Sequence, residues 1–333
     1  GLTRKGVKEM LKEVQEVKVG GRTRRVHVRP FAWNLHAPTH MEWTPDGRLL
    51  VVERTTGKVK DVTKGGDMEE AKPFAWGLQG PSSMCPLPDG RVLISEFWGN
   101  RIREISAGGE AEKAPVFLDG LIRPYSLAAL GKVHVRIFAV ASKEPTAFRD
   151  VAGAVYEITT GTPEIFIDQI PTHRSPGLEG LAPSWSWKSE DWSAYASGCS
   201  KTSWIDDGGG GGGGGGKLLA IAASSLGRVL LYPVGEGKKD LLSVALNYTL
   251  ALDVGEMGGI KTHPQNGKVY VTKPREGEIL ALDKETPESY AFHPPVVKGL
   301  PTPTCVRFTP DLEGLLVCSP TNGVIWEVRG AIV

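Results

Sequence analysis

Apolar runs of strand length, each closed by a turn signal, follow one another along most of the chain, and no helical period separates them. The stretch "LHAPTHMEWTPDGRLLVVERTTGKVKDV" is answered by "LQGPSSMCPLPDGRVLISEFWGNRIREI". Each holds three short runs, the first two joined by an Asp-Gly turn of the kind that closes a tight β-hairpin. Phe31, Phe74 and Phe117 step along the chain at one constant interval, and Pro38, Pro81 and Pro124 keep the same interval. A period of roughly 40 to 50 residues is the signature of a solenoid or a propeller.

The template of the first two copies extends to the C-terminus. A late copy reads "GLPTPTCVRFTPDLEGLLVCSPTNGVIWEV"; fainter ones are "IKTHPQNGKVYVTKPREGEILALD", "LLAIAASSLGRVLLYPV" and "VRIFAVASKEPTAFRDVAGAVYEIT". The glycine opening the third strand recurs at Gly57, Gly99, Gly153, Gly227, Gly277 and Gly323, which gives six copies. Consecutive antiparallel hairpins without helices exclude a parallel α/β sheet. Units of about four strands fit radial stacking, where each sheet buries both faces against its neighbours and the ring removes most free edges. The expected fold is all-β, a six-bladed β-propeller over residues 21–333. "GVIWEVRGAIV" leaves the last blade one strand short. The alternating segment at 22–30 is expected to supply it and close the ring.

Two segments depart from the repeat. Residues 1–20 place Val7, Met10, Leu11, Val14 and Val17 at helical spacing, which predicts a short amphipathic helix docked on the propeller or on a partner protein. Residues 183–217 form an insertion in the fourth repeat with Trp185, Trp187, Trp192 and Trp204, followed by nine consecutive glycines. The tryptophans suit either a rim cover or a protein-binding patch, and the glycine tract reads as a linker.

Composition limits the partners. With 39 Lys and Arg against 38 Asp and Glu, the net charge is +1, so no overall field favours nucleic acid. No apolar run approaches a membrane span. The start at Gly1 without methionine suggests a processed chain, which favours a secreted or periplasmic location. Cys85, Cys199, Cys305 and Cys318 show no CxxC spacing. The hairpin around "TPDLEG" sets Cys305 opposite Cys318, and free thiols are the expected state there.

In a propeller the innermost strands begin, and the second strands end, around one mouth of the central channel. Aligned copies put His40 at a start and Glu53, Glu96 followed by Trp98, and Lys273 at or just after the ends; these are the candidate ligand-binding residues. Glu179 falls at the start of the fourth copy. A mouth holding Glu53, Glu96, Glu179, Lys273 and His40 suits a metal or acid–base chemistry, whereas charges at strand ends are also commonly just solvated or paired, so both readings stand.

"GL..P", "PDGRLLV" and "SEFWGNRIREI" resemble the NHL, SMP-30/gluconolactonase and soluble sugar dehydrogenase group of six-bladed propellers. That resemblance implies a sugar or lactone ligand and either calcium, held by a Glu, Asn and Asp set, or pyrroloquinoline quinone as cofactor. Asparagine and aspartate are not found at the matching strand termini. "HRSPGLEGLA" is similar to the quinone-site motif of the dehydrogenases, with Ser175 in place of asparagine. By that resemblance His173 and Arg174 would lie near a quinone; with Glu179 of the aligned strand starts they are the candidate catalytic residues. NHL propellers also imply the alternative of a non-catalytic platform for protein partners.

Overall fold

The computed structural model describes residues 1–144, 151–172, 195–197, 218–283 and 292–333, and it is a six-bladed β-propeller. Blade one is built from Pro38–Trp43, Leu49–Glu53, Lys58–Asp61 and Ala75–Trp76, counted outward from the axis. Blade two follows with Pro81–Pro86, Val92–Glu96, Arg101–Glu104 and Val116–Asp119, and blade three with Leu127–Leu130, Arg136–Ser142, Val151–Glu157 and Glu164–Thr172. Blade four comprises Tyr195–Ser197, Leu218–Ala223, Arg228–Pro233 and Thr249–Ala251. Blade five has Ile260–Thr262, Val269–Lys273 and Glu278–Leu282, with its outer edge marked by a single bridge from Ile279 to Val297.

Blade six explains why the motif around Phe31 appears so early in the chain. Its inner strands are Cys305–Phe308, Gly314–Ser319 and Val324–Arg329, and its fourth is Arg22–Trp33 from the opposite end of the sequence. The register pairs His27 with Arg329, Val28 with Val328 and Ala32 with Ile325. The expected closure is thus observed, and it covers an edge that would otherwise present unpaired backbone groups.

Each interface between blades is one apolar cluster. Leu49 and Val51 pack with Cys318 and Ile325 of blade six, whereas Leu50 and Val52 pack with Met84 and Ile94 of blade two. Successive side chains of a strand point to opposite faces, so a strand between two neighbours is apolar throughout; all of Leu49–Glu53 is buried.

The repeated glycine has a steric cause. Gly57 adopts φ +69, and a Cβ there would lie 2.4 Å from the carbonyl oxygen of Leu78, whose N–H donates to the Gly57 carbonyl. Gly323 meets Leu35 in the same way. In blade two that place belongs to Asn100, at φ +52, whose carbonyl accepts from Gly120 N–H. Gly99 is one position off the repeat.

The N-terminal segment corrects the expectation of a helix across residues 1–20. The helix spans only Arg4–Lys8, with Thr3 as its cap and Val7 buried. Val14–Val19 is instead a strand, hairpinned onto Arg22–Trp33 through Gly20 and Gly21, both at positive φ. "VQEVKV" fits both a helical and an alternating pattern, and the Gly-Gly turn beside a ready partner strand decides for the latter. The Trp-rich and polyglycine insertion at 183–217 lies outside the described residues apart from the strand Tyr195–Ser197. Among the described residues no helix is long and apolar enough to cross a membrane.

Candidate functional site

The sequence places its candidates at the mouth, and two of them turn inward. Glu53 ends the second strand of blade one with its carboxylate fully buried. It accepts the His36 N–H at 2.6 Å and faces Lys60 Nζ at 3.4 Å in the next strand. Glu96 repeats the arrangement in blade two, accepting the Gln79 N–H at 2.7 Å and pairing with Arg103. In blade six Ser319 holds the equivalent position and accepts from Trp326 Nε1 at 3.1 Å. These groups tie the second strand, the third strand and the entering loop together.

At the same strand ends the aromatic side chains of neighbouring blades meet. Arg54, directly after Glu53, carries its guanidinium 4.8 Å over the ring of Phe97. Phe97 meets Trp98 edge to face at 5.1 Å and Tyr125 of blade three at 6.4 Å. Phe97 is buried, but Trp98 stays 43% exposed. Lys273 faces Glu276 at 3.7 Å on the blade-five side.

Deeper in the channel the inner strands supply a charged layer that strand-end reasoning misses. Glu42, Lys261 and Arg307 hold the same register in blades one, five and six. Arg307 Nε lies 2.6 Å from Glu42 Oε2, and Lys261 Nζ lies 3.3 Å from Glu42 Oε1. Burial alone would raise the Glu42 carboxyl, but the two cations outweigh it and bring it down to about 2. Arg307 is held still more firmly protonated than an ordinary arginine: burial disfavours its charge, and the Cys305 and Glu42 groups more than compensate.

His40 belongs to this layer. Its Nδ1 faces the Met84 N–H at 3.3 Å and its Nε2 faces Arg307 at 3.0 Å. Both neighbours are donors, so neither ring nitrogen finds an acceptor for an imidazolium N–H, and the Glu42 charge that favours the imidazolium is outweighed. Burial first, and then the Arg307 charge, lower its pKa to about 3. His40 therefore stays neutral and links blades one, two and six, alongside the bond from Thr304 Oγ1 to the Thr39 carbonyl at 3.1 Å. The hydroxyl of Thr39 is a buried polar atom without a hydrogen-bond partner.

His173, Arg174 and Glu179 lie outside the described residues. Among the described residues no three His, Cys, Asp or Glu side chains gather as a metal cluster. The channel donors also fit a divalent cation poorly, because each oxygen of Glu42 already faces a positive side chain.

No protein-family model matches this sequence, and no curated protein does so. The fold is similar to that of a luciferin-regenerating enzyme, with 14% identity, 92% of this chain and 95% of that chain covered, and a TM-score of 0.61. It is also similar to a gluconolactonase from Xanthomonas campestris, with 9% identity, coverage of 96% and 95%, and a TM-score of 0.58. A further structure described as a putative gluconolactonase aligns at 10% identity and a TM-score of 0.58, covering 94% of this chain and 93% of its own. The chain thus has the six-bladed propeller architecture of gluconolactonase-like structures.

Proposed function

We propose that the protein binds a small polyhydroxylated ring, of the sugar or sugar-lactone class, at the channel mouth. The observation that carries this reading is the wall of Arg54, Phe97, Trp98 and Tyr125. It combines an exposed indole with a guanidinium at the end of a polar channel, the mixture of apolar surface and few polar groups that small-molecule sites use. Lys273, on another blade of the same ring, supplies a cation for a ligand oxygen. Two of the fold neighbours are described as gluconolactonases, which agrees with this ligand class. In the enzymatic form of the proposal the reaction is opening of a lactone by water, with Glu179 as the acid–base group.

The test is a fluorescence titration of the full chain with gluconolactone. Quenching that saturates, and that weakens at least tenfold in Trp98→Ala with the fold retained, is the expected result. An unchanged affinity in that variant removes the mouth from the reading. Hydrolysis lost in Glu179→Gln while binding persists separates catalysis from recognition.

A second reading, a platform for a protein partner, rests on Leu242 and Leu246 of the helix Leu241–Asn247. They are 64% and 80% exposed and one helical turn apart. Replacing both with serine abolishes partner capture in that reading and leaves gluconolactone binding intact.

A further inference from the structure

The resemblance to lactonase propellers implies a divalent metal in the channel, at strand termini where this chain offers no asparagine or aspartate, and the charged layer deeper in the channel is closed to such an ion as well. A calcium site is made of oxygen donors whose negative charge is free to face the ion. Here Glu42 is the one carboxylate within the described inner strands, and it is enclosed. Arg307 Nε reaches Oε2 at 2.6 Å and Lys261 Nζ reaches Oε1 at 3.3 Å. Lys261 arrives from blade five, past blade six, to a carboxylate of blade one.

The remaining neighbours reinforce the exclusion. The Arg307 guanidinium also donates to the Val306 carbonyl at 2.7 Å and faces His40 at 3.0 Å, so it is fixed from three sides. Arg307 is buried to 5% exposure, which leaves it no route to swing into solvent. A divalent ion approaching Glu42 would meet two fixed positive charges at contact distance in a medium that screens poorly. The imidazole of His40 offers no alternative, since its Nδ1 faces the Met84 N–H.

We propose that Arg307 and Lys261 stand in the channel as built-in cations, and that this propeller takes its ligand without a divalent metal at Glu42. The inference deepens the sugar-lactone reading and rests on it for the ligand, but not for the metal. The positive charge beside Glu42 is here carried by side chains, set by the register of three inner strands.

The experiment uses the full chain, stripped with EDTA and exchanged into metal-free buffer. Calcium chloride is titrated into the wild type and into Glu42→Gln, and bound calcium is counted by elemental analysis. The expected result is calcium content that Glu42→Gln leaves unchanged, whether or not calcium sticks elsewhere. Stoichiometric calcium on the wild type that disappears in Glu42→Gln overturns the proposal. Should that variant fail to fold, the double variant Glu42→Gln with Arg307→Met, which removes the ion pair as a whole, is counted in its place: calcium content equal to the wild type supports the proposal, and stoichiometric calcium lost in the double variant overturns it. Gluconolactone affinity read in the same two buffers is separate. Equal affinity supports metal-free recognition, and affinity lost in EDTA and restored by calcium overturns it. Should gluconolactone fail to bind in both buffers, the ligand reading falls, and the calcium count decides the metal proposal on its own.

Discussion

Glu42 and Arg307 occupy the same register of neighbouring inner strands, and their side chains meet at 2.6 Å on the channel axis side of blades one and six. Lys261 shares the carboxylate from blade five. One acid therefore faces two bases, and the three positions are not equivalent. Glu42→Gln leaves the buried Arg307 guanidinium without its carboxylate and is expected to cost about 3–5 kcal/mol, the order seen when one member of a buried pair is removed. Arg307→Met leaves Glu42 with Lys261 and costs less, and the double variant costs less than the two single changes added together. Urea unfolding of the four proteins checks the order; additive losses would show that the pair is not coupled.

His40 makes stability depend on pH. Its pKa is about 3 in the folded protein, below the ordinary 6.5 of an unfolded chain. The unfolded state therefore binds the extra proton between these values, and stability is fully present above about 6.5 and lost as pH falls toward 3. Arg307, Glu42 and Lys261 surround the ring and keep their charges through most of that window, since Glu42 titrates near 2. The slope approaches ~1.4 kcal/mol per pH unit for one such group. Comparing wild type with His40→Gln from pH 7 to pH 4 isolates it; parallel curves would show that the imidazole titrates normally.

Glu53 and Lys60 form a tie inside blade one, and Glu96 and Arg103 form its counterpart in blade two. Glu53→Ala removes the acceptor of the His36 N–H and strands the buried ammonium, an effect of about 3–5 kcal/mol. Thermal unfolding is expected to show a clear loss, with gluconolactone affinity following the folded fraction. An alanine variant that keeps its melting temperature but loses affinity would place this carboxylate on the ligand instead.

The blades were legible in the sequence because each needs the same turn, the same glycine and the same apolar strand, as Gly57 and Gly323 show by their contacts with Leu78 and Leu35. The outer strand of blade six was legible for the same reason, since Phe31 repeats Phe74. The channel layer was harder. Glu42, Lys261 and Arg307 are far apart in sequence and sit in the middle of strands, while attention falls on strand ends. A signal did exist: aligning "EWTPD" with "RFTPD" puts Glu42 and Arg307 at one position with opposite charge. The helix over 1–20 was misread because Val14 and Val17 satisfy two periods at once. For Trp98 the place just after a strand end was legible, but its exposure and the contact of Arg54 with the neighbouring Phe97 depend on side-chain packing.

Cys305 and Cys318 face each other across two strands as free thiols. Burial pushes both thiols up; the hydrogen bond with Cys318 and the charge of Arg307 then bring Cys305 down to about 7, while Cys318 stays well above its usual value. Neither side chain is exposed by more than 1%, so access governs reactivity. Native protein is expected to resist alkylation at both, and unreduced denatured protein to yield both as free thiols. Loss of these two thiols from the denatured count would show that a disulfide joins them.

The closing strand yields a graded truncation series. Val7 and Val17 are buried at 0% and 3% in the cluster shared by blades five and six, and the Gln15 amide bridges to blade five, donating to the Lys298 carbonyl at 2.6 Å and accepting its N–H at 3.2 Å. Removing residues 1–21 takes away both valines and this clamp but leaves the ladder between His27 and Arg329. At ~1.5–3 kcal/mol for each fully buried valine, the loss is several kcal/mol and the ring stays closed. Removing residues 1–33 also takes Val26, Val28 and Ala32, and it uncovers the edge of Val324–Arg329. That edge then invites pairing with another chain. The shorter truncation is expected to melt lower yet remain monomeric, and the longer one to unfold or associate. Equal melting temperatures for the full chain and the 34–333 fragment would show that the N-terminal strand is not what closes this propeller.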